Sequence, residues 1–429
     1  DVTPSENYGF AIYGTFEINK LMLTMDYSID LHDNMNLISF YGLPEDNSVS
    51  VVMEGISDNI TFVAGAASST IHMPNTNNWS GTLINLEISS GYWLRMDDAD
   101  ILDGSGFPYN IKREYDLNEG ANLVSFPSAG SFIINDALPN DIQPLITAII
   151  GEGTSTLNME AVTDSVLGWG EDDGWIGTLS KFEGLHGYWI FADEDNISFS
   201  YELGGSSEGS ARESAPSQMT EKPVDLDFIQ SSKQAFYYLN ESVMLDGNVE
   251  IGDWFASFCG STMAGSRQYL GAAIDIPVMG YDGHSSTAGY CEIGDTPQFK
   301  LFKSETGEMI DLYAETPIWD SNGIFFLNNV SESAPMPTEF SMLSAYPNPF
   351  NPVTNIGFEI PEQSMVHISI FNIKGQKVET LVNEVTSPGK YSIHWNANDV
   401  ASGVYFVHFT ASGDGFKPIS SIQKLMLVK

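Results

Sequence analysis

The chain has 429 residues, of which 57 are Asp or Glu and only 17 are Lys or Arg, so its net charge is −40. A surface so poor in cations repels phosphate backbones and anionic lipid headgroups, which excludes nucleic-acid binding and peripheral membrane binding. Hydrophobic residues make up 42% of the chain, enough for buried cores, yet no stretch approaches the roughly 20 apolar residues of a membrane span. The length corresponds to about three domains.

The residue pattern predicts an all-β chain built from several β-sandwich modules in tandem. Short runs of β-branched and aromatic residues alternate with turns rich in the 39 glycines and 20 prolines. No long segment has the 3.6-residue periodicity of an amphipathic helix. At the start of the chain, residues 1–24 are predicted to form an N-terminal extension, in which Phe10–Leu23 supplies an extra strand pair.

An internal repeat follows this extension. The sequence NLISF at 36–40 recurs as NLVSF at 122–126, and WSGTLINLEISSGYWL at 79–94 recurs as WIGTLSKFEGLHGYWI at 175–190. The distance along the chain between the two copies is 86 residues at the first motif and 96 residues at the second, so the second copy contains a ten-residue insertion. Two homologous β modules are therefore predicted, at 25–110 and 111–203.

The aromatic residues of the repeat have two interpretations. Two tryptophans recur in each copy, namely Trp79 and Trp93 in the first and Trp175 and Trp189 in the second. They could form a platform that stacks on sugars, which requires rings that are open to solvent. Recurrence at equivalent positions favours core packing instead, because a duplicated fold must keep its core residues.

A third module is predicted at 224–330, between a Gly/Ser linker at 204–223 and a short Pro-containing linker at 331–341. It holds the only two cysteines, Cys259 and Cys291. Two thiols without a suitably spaced His pair do not complete a zinc site. We expect a disulfide, and the alternative is two separate buried thiols that act as small hydrophobic side chains.

Catalytic patterns are missing from the sequence, so we predict no enzyme. None of the seven histidines forms an HExxH or HxH pair. A G-x-S-x-G string occurs at 205–209, but it lies in the Gly/Ser linker and does not follow a strand. We therefore expect no cofactor, and calcium is the one candidate.

Calcium prefers oxygen ligands from acidic loops, and two groups of aspartates provide them. The alternative interpretation is a solvated acidic surface, and none of these loops has the EF-hand spacing. The candidate ligands are Asp97, Asp98, Asp100 and Asp103 in the first repeat and Asp282 and Asp295 in the third module.

The last 89 residues differ in charge from the rest. From residue 341 onward six lysines balance six acidic residues, so the first 340 residues carry the whole net charge of −40. Residues 342–429 are predicted to form an Ig-like β-sandwich, in which VHISIFNI at 366–373 alternates and Lys374-Gly375 makes a tight hairpin turn.

The same region contains a recognisable set of motifs. It opens with YPNPFNP at 346–352, continues with NIKGQKV at 372–378 and SGVYF at 402–406, and ends in a basic strand. In this order the motifs closely resemble the C-terminal sorting domain of proteins exported by the type IX secretion system. The sorting motif itself comprises Tyr346, Pro347, Asn348, Pro349, Phe350, Asn351 and Pro352.

The resemblance implies a Gram-negative bacterium of the Bacteroidetes/Marinimicrobia kind, the type IX secretion machinery as partner, and an extracellular or outer-surface location. It implies no activity. Repeated β modules without a catalytic pattern favour a structural or adhesive surface protein, and self-association into a filament is the more specific form of this prediction. The alternative is a glycan-binding accessory protein exported by the same route.

Overall fold

The computed structural model describes residues 24–73, 76, 78–108, 110–161, 174–203, 222–239, 248–333, 336–413 and 417–429. The predicted N-terminal strand pair and most of the predicted Gly/Ser linker lie outside these residues. The described chain is all-β, as predicted, and forms two compact units, Asp1–Glu332 and Ser333–Lys429. Its helical segments are short: α1 (Val49–Val52), α2 (Ile134–Ala137) and the 3-10 turns Glu54–Ile56, Gln143–Leu145, Val224–Leu226 and Ser285–Thr287.

The first repeat is a two-layer module. Its larger sheet has the antiparallel order β2-β7-β4-β5-β6, and a smaller sheet has the order β1-β8-β3. Alternating residues of β1, Tyr27, Ile29 and Leu31, face the core because side chains of a strand alternate between its two faces. The strands are β1 (Met25–Leu31), β2 (Asn34–Ile38), β3 (Gly42–Leu43), β4 (Ile60–Ala64), β5 (Ser69–Met73), β6 (Asn78–Gly81), β7 (Tyr92–Met96) and β8 (Asp100–Pro108).

The second repeat has the same plan. Its five-stranded sheet has the order β10-β16-β12-β13-β14, and two small ladders, β17-β9 and β11-β15, complete the module. The strands are β9 (Tyr115–Leu117), β10 (Gly120–Ser125), β11 (Ser131–Ile133), β12 (Ile146–Ile150), β13 (Ser155–Asn158), β14 (Trp175–Gly177), β15 (Lys181–Glu183), β16 (Gly187–Ala192) and β17 (Ile197–Phe199).

The duplication extends to local details. The ladder between β4 and β7 has a register shift after Ile60, and the ladder between β12 and β16 has one after Ile146. In each copy a tyrosine hydroxyl, of Tyr92 or Tyr188, accepts a hydrogen bond from the backbone N–H of the residue five positions earlier. Four residues separate β5 from β6, whereas 16 separate β13 from β14, so the insertion in the second copy lies there.

The third module is a sandwich of a three-stranded sheet, β21-β18-β24, and a five-stranded sheet, β20-β19-β22-β23-β25. Strand β25 ends at a residue that the sequence assigned to the following linker. The strands are β18 (Gln234–Leu239), β19 (Trp254–Cys259), β20 (Thr262–Gln268), β21 (Ile274–Met279), β22 (Gln298–Phe302), β23 (Met309–Glu315), β24 (Ile324–Phe326) and β25 (Asn328–Ser331).

The two cysteines of the third module form the predicted disulfide. Cys259 ends β19, Cys291 follows β21, and both side chains are buried in the core of the module. Closing a loop of this length restricts the unfolded chain, so we expect reduction to lower the free energy of unfolding by about 3–4 kcal/mol. Denaturant titrations with and without reductant measure this difference. A Cys259→Ser/Cys291→Ser variant provides the control, because it should be insensitive to reductant.

The second compact unit is the predicted C-terminal sandwich, called here the sorting unit. Its sheets have the orders β26-β27-β30 and β29-β28-β31-β32. The predicted turn lies between β28 and β29, where Gly375 adopts a φ of 76°, a left-handed conformation that favours glycine. The strands are β26 (Ser341–Met342), β27 (Val353–Ile360), β28 (Ser364–Asn372), β29 (Lys377–Thr386), β30 (Gly389–Asn396), β31 (Gly403–Ser412) and β32 (Ile419–Leu427).

Candidate functional sites at the module junctions and in the sorting unit

A buried ion pair joins the first repeat to the third module. Arg95 on β7 donates from Nη2 to Oδ2 of Asp282 over 2.6 Å, and the two side chains are only 10% and 1% exposed. The other carboxylate oxygen of Asp282 accepts from Thr287 Oγ1 at 2.7 Å. Both oxygens are therefore occupied, and each charge depends on a partner in the other module.

A second buried carboxylate joins the second repeat to the third module. Asp275 on β21 accepts at Oδ2 from the backbone N–H of Ser155 (3.0 Å), from Ser155 Oγ (2.9 Å) and from Thr178 Oγ1 (2.9 Å). Arg267 lies 3.4 Å from the same oxygen and also donates to the carbonyl of Gly153 over 2.7 Å. Burial raises the pKa of Asp275, and Arg267 opposes that rise.

Apolar clusters underlie both junctions of the second repeat. Leu37 and Trp93 of the first repeat pack with Leu123 of the second in one cluster, against which Trp189 also packs. On the other side, the second repeat contributes residues such as Leu157 to a cluster shared with β18 and β24 of the third module. The three modules are therefore held together by continuous buried contacts as well as by ion pairs.

The two repeats also share a polar cleft of about 600 Å³, lined by groups that include His32, Glu152, Glu183 and His186. Carboxylates and histidines in a cleft are the residue types of acid–base catalysis. Here, however, Glu152 is bonded at both oxygens, to His32 Nε2 at 2.5 Å and to the backbone N–H of Leu37 at 2.6 Å. This carboxylate thus serves as a bridge from the second repeat to the first.

The His32–Glu152 bridge makes stability depend on pH. The hydrogen bond to Glu152 raises the pKa of His32 to about 9, although partial burial opposes the rise. The pKa of His32 in the folded protein exceeds its unfolded value of about 6.5. The bridge therefore contributes its full stabilisation of the folded state below pH 6.5, and this contribution is lost as the pH rises through about 9. Solvent screens the pair, since the His32 side chain is 47% exposed, so we expect a loss of about 1 kcal/mol.

Denaturant titrations at pH 6 and pH 10 measure this loss. The control is Glu152→Gln, which keeps an acceptor for the backbone N–H of Leu37 but removes the charge. The difference in the free energy of unfolding between wild type and Glu152→Gln should therefore be smaller at pH 10 than at pH 6. An equal difference at the two pH values would show that this pair does not cause the pH dependence.

The four tryptophans of the predicted sugar platform occupy different surroundings. Trp93 is 3% exposed in the cluster between the repeats, and Trp189 packs against the same cluster. Trp79 stacks on His72 with ring centroids 4.5 Å apart. Trp175 packs on the core of the second repeat and donates from Nε1 to Gln143 Oε1 at 3.2 Å. The structure does not place the four rings on one open face.

The predicted calcium ligands belong to two different modules, and several of them already have hydrogen-bond partners. Asp100 accepts from Asn59 Nδ2 at 2.9 Å, and Asp282 is held by Arg95. Asp295 accepts from the backbone N–H of Glu292 at 2.8 Å. Asp103 lies within β8, and Asp97 and Asp98 precede that strand. Within the described ranges, no group of three or more His, Cys, Asp or Glu side chains is arranged to hold a metal ion. Calcium binding stays a prediction.

In the sorting unit, the YPNPFNP motif is hydrogen-bonded to the last strand of the same unit. Phe350 is buried, its N–H donates to the carbonyl of Met426, and its own carbonyl accepts from Val428. Asn348 adds a reciprocal pair, from its Nδ2 to the carbonyl of Lys424 and from the N–H of Met426 to its Oδ1. The motif thus fixes the last strand, β32, in the sandwich.

The residues that join the modules were not identified from the sequence. Arg95, Arg267 and Asp275 lie within strands and belong to no motif. The groups that they contact across the junctions, in Asp282, Gly153 and Ser155, are more than 100 residues away in the chain. One signal was available: the chain has few cations, and Arg95 and Arg267 stand in otherwise uncharged strand segments. A cation in such a segment requires a buried partner.

Comparisons with solved structures give only remote similarities. Dimeric latent PorU from Porphyromonas gingivalis aligns with 95% of this chain at 9% identity and a TM-score of 0.18, and the chain spans about a third (32%) of its length. A DUF3823 family protein from Parabacteroides merdae aligns in full with 46% of this chain, at 11% identity and a TM-score of 0.16. A Ca²⁺-stabilised adhesin of an Antarctic bacterium that binds ice aligns in full with 94% of this chain, at 9% identity and a TM-score of 0.15.

No function is transferred at such TM-scores, and no curated protein matches the chain. The described residues include no helix that is long and apolar enough to cross a membrane. The informative match is local: residues 344–420 fit the family described as "Secretion system C-terminal sorting domain". They include the motif that fixes β32, and such a domain implies export from the cell. The chain is therefore a cargo protein of the type IX secretion system, marked by its C-terminal sorting domain.

Proposed function

We propose that this cargo is a non-catalytic structural or adhesive protein of the outer surface of a Gram-negative bacterium, and that copies of it assemble into a filament. The observation that carries the proposal is the buried Arg95–Asp282 pair, which joins the first repeat to the third module across 187 residues of sequence. Separate binding modules on flexible tethers need no such contact. A body that transmits load along its length benefits from one.

The other junctions support the same function. The Asp275 site holds the second repeat to the third module with three hydrogen bonds to one carboxylate oxygen, and an apolar cluster packs at each junction. Buried contacts of this kind limit the relative motion of modules. The polar cleft between the repeats is bridged by His32 and Glu152, so its carboxylate already has a structural role. The proposal requires no cofactor.

The experiment is electron microscopy of the protein purified from its native source, combined with mass spectrometry of the same sample. Regular fibres whose chains still contain the sorting unit are the expected result. Monomers that end near residue 340 would contradict assembly into a filament with a retained sorting unit. Glycan binding would then become the next function to test, with an array of surface polysaccharides as the probe.

A further inference from the structure

An apolar cleft of about 720 Å³ lies between the second repeat and the third module. Phe191 and Ala148 line it from the second repeat, and Ile293 and Ile318 line it from the third module. The two isoleucines are 77% and 59% exposed, so their apolar side chains face solvent at this point. Exposed apolar side chains beside a cleft offer contacts to another molecule.

The backbone beside the cleft can accept a further strand. Strand β24 lines the cleft and pairs in parallel with β18, and among the described strands none pairs with its other side. An edge strand of this kind offers N–H and C=O groups to an extended peptide. Asn322, just before β24, also lines the cleft, and its buried Oδ1 accepts no hydrogen bond within the described part of the chain. The cleft therefore fits an extended peptide with one apolar face.

The chain itself contains such a peptide before its described part. In Phe10–Leu23 (FAIYGTFEINKLML), the apolar residues Phe10, Ile12, Phe16 and Ile18 fall at even-numbered positions, a sequence pattern typical of a strand with one apolar face. This segment of 14 residues has one Glu and one Lys and is neutral, although the first 340 residues carry a net charge of −40. The cleft is nearly neutral as well, because Asp320 is the one charged residue among the described residues that line it. Highly acidic copies repel each other, so a neutral contact is the favourable one.

We propose that Phe10–Leu23 of one copy docks in this cleft of the next copy as a strand added to β24. The segment is joined to the first repeat, and among the described residues none of that repeat lines the cleft, so in the proposed assembly the donor belongs to a second copy. Fourteen residues at about 3.3 Å per residue exceed the length of the three-residue β24, so the segment is long enough to pair with the whole of that strand. Each copy has one donor segment and one cleft, and a contact between unlike surfaces repeats into a filament.

This inference rests on the proposed assembly and specifies its contact, so the tests separate the two. Because both native cysteines are in the disulfide, a single introduced cysteine is the one free thiol. Full-length Phe16→Cys chains mixed with full-length Ile318→Cys chains should give a cross-linked pair of twice the chain mass on mild oxidation. Ile84→Cys, at an exposed site of the first repeat, replaces Ile318→Cys in the control and should give no pair.

Peptide binding tests the cleft independently of assembly. A full-length Phe16→Asp/Ile18→Asp chain cannot donate its own segment, and it should bind a synthetic peptide of residues 8–24. Adding Ile318→Lys to this chain should weaken binding at least about tenfold, because the lysine places a charge in the apolar contact, whereas adding Ile84→Lys should not.

The outcomes separate the docking site from filament formation. Fibres that persist unchanged in the Ile318→Lys chain, without cross-linking or peptide binding, would overturn the docking site but leave the filament intact. Peptide binding without fibres would support the docking site and contradict the filament. Cross-linking only within a single chain carrying both cysteines would overturn docking between copies.

Discussion

Replacing Asp282 by alanine should lower the free energy of unfolding of the first compact unit by about 3–5 kcal/mol. The substitution leaves Arg95 charged and buried without its partner, and the loss of one member of a buried pair typically has this effect. The Thr287 hydroxyl also loses the nearer of its two acceptors and keeps only the carbonyl of His284. The measurement is denaturant unfolding followed by tryptophan fluorescence, with the full-length chain as the reference.

Two controls isolate the effect of the buried charge. Asp311→Ala breaks the Lys300–Asp311 pair, which lies at the surface of the third module, and should lower the free energy of unfolding by less than about 1 kcal/mol. Asp282→Asn keeps an acceptor for Thr287, so its loss of unfolding free energy should lie between those of Asp311→Ala and Asp282→Ala. A loss below about 1 kcal/mol in Asp282→Ala would show that the pair does not hold the modules together.

Replacing Trp93 by alanine should have an effect of similar size, about 3–5 kcal/mol, at the contact between the repeats. The ring is almost fully buried between Leu37 and Leu123, so truncation opens a cavity across the interface. Trp93→Phe is the matched variant, because it keeps an aromatic ring and removes a buried Nε1 that has no partner among the described residues. It should lower stability by only about 1 kcal/mol.

The same variant separates the two interpretations of the repeated tryptophans. If Trp93 belonged to a sugar platform, Trp93→Ala would leave the unfolding midpoint unchanged and abolish retention on a glycan column. If it belongs to the core, the midpoint falls. Ile84→Ala provides the baseline, because truncating a side chain that is 69% exposed changes stability by no more than about 0.5 kcal/mol.

The fold class and the repeat could be predicted because their signals are local. Alternation of apolar residues defines strands, and the Gly-Tyr-Trp string of each copy marks equivalent strands, β7 and β16. The two cysteines made a disulfide the expected state, and the structure decides against the alternative of two separate buried thiols. The short helices α1 and α2 were not predicted, because four-residue helices leave no periodic pattern.

The module junctions could not be predicted because their pairs are distant in sequence. Asp282 was interpreted as a candidate calcium ligand, since the sequence shows an acidic loop and not the arginine that meets it from the first repeat. Glu152 likewise lies in an ordinary turn until the fold brings it to His32. A single sequence reports which residues are charged, and only the tertiary structure reports which charges neutralise each other.

The central claim, that the two repeats and the third module form one body, is tested most directly by scanning calorimetry of the full-length chain. We predict two transitions, of which the larger absorbs about 200 kcal/mol, as expected from about 0.7 kcal/mol per residue for roughly 300 residues that unfold together. Its van't Hoff and calorimetric enthalpies should agree, and Asp282→Ala should lower its midpoint alone. Three or more independent transitions, with a shift in only one module, would contradict a single body.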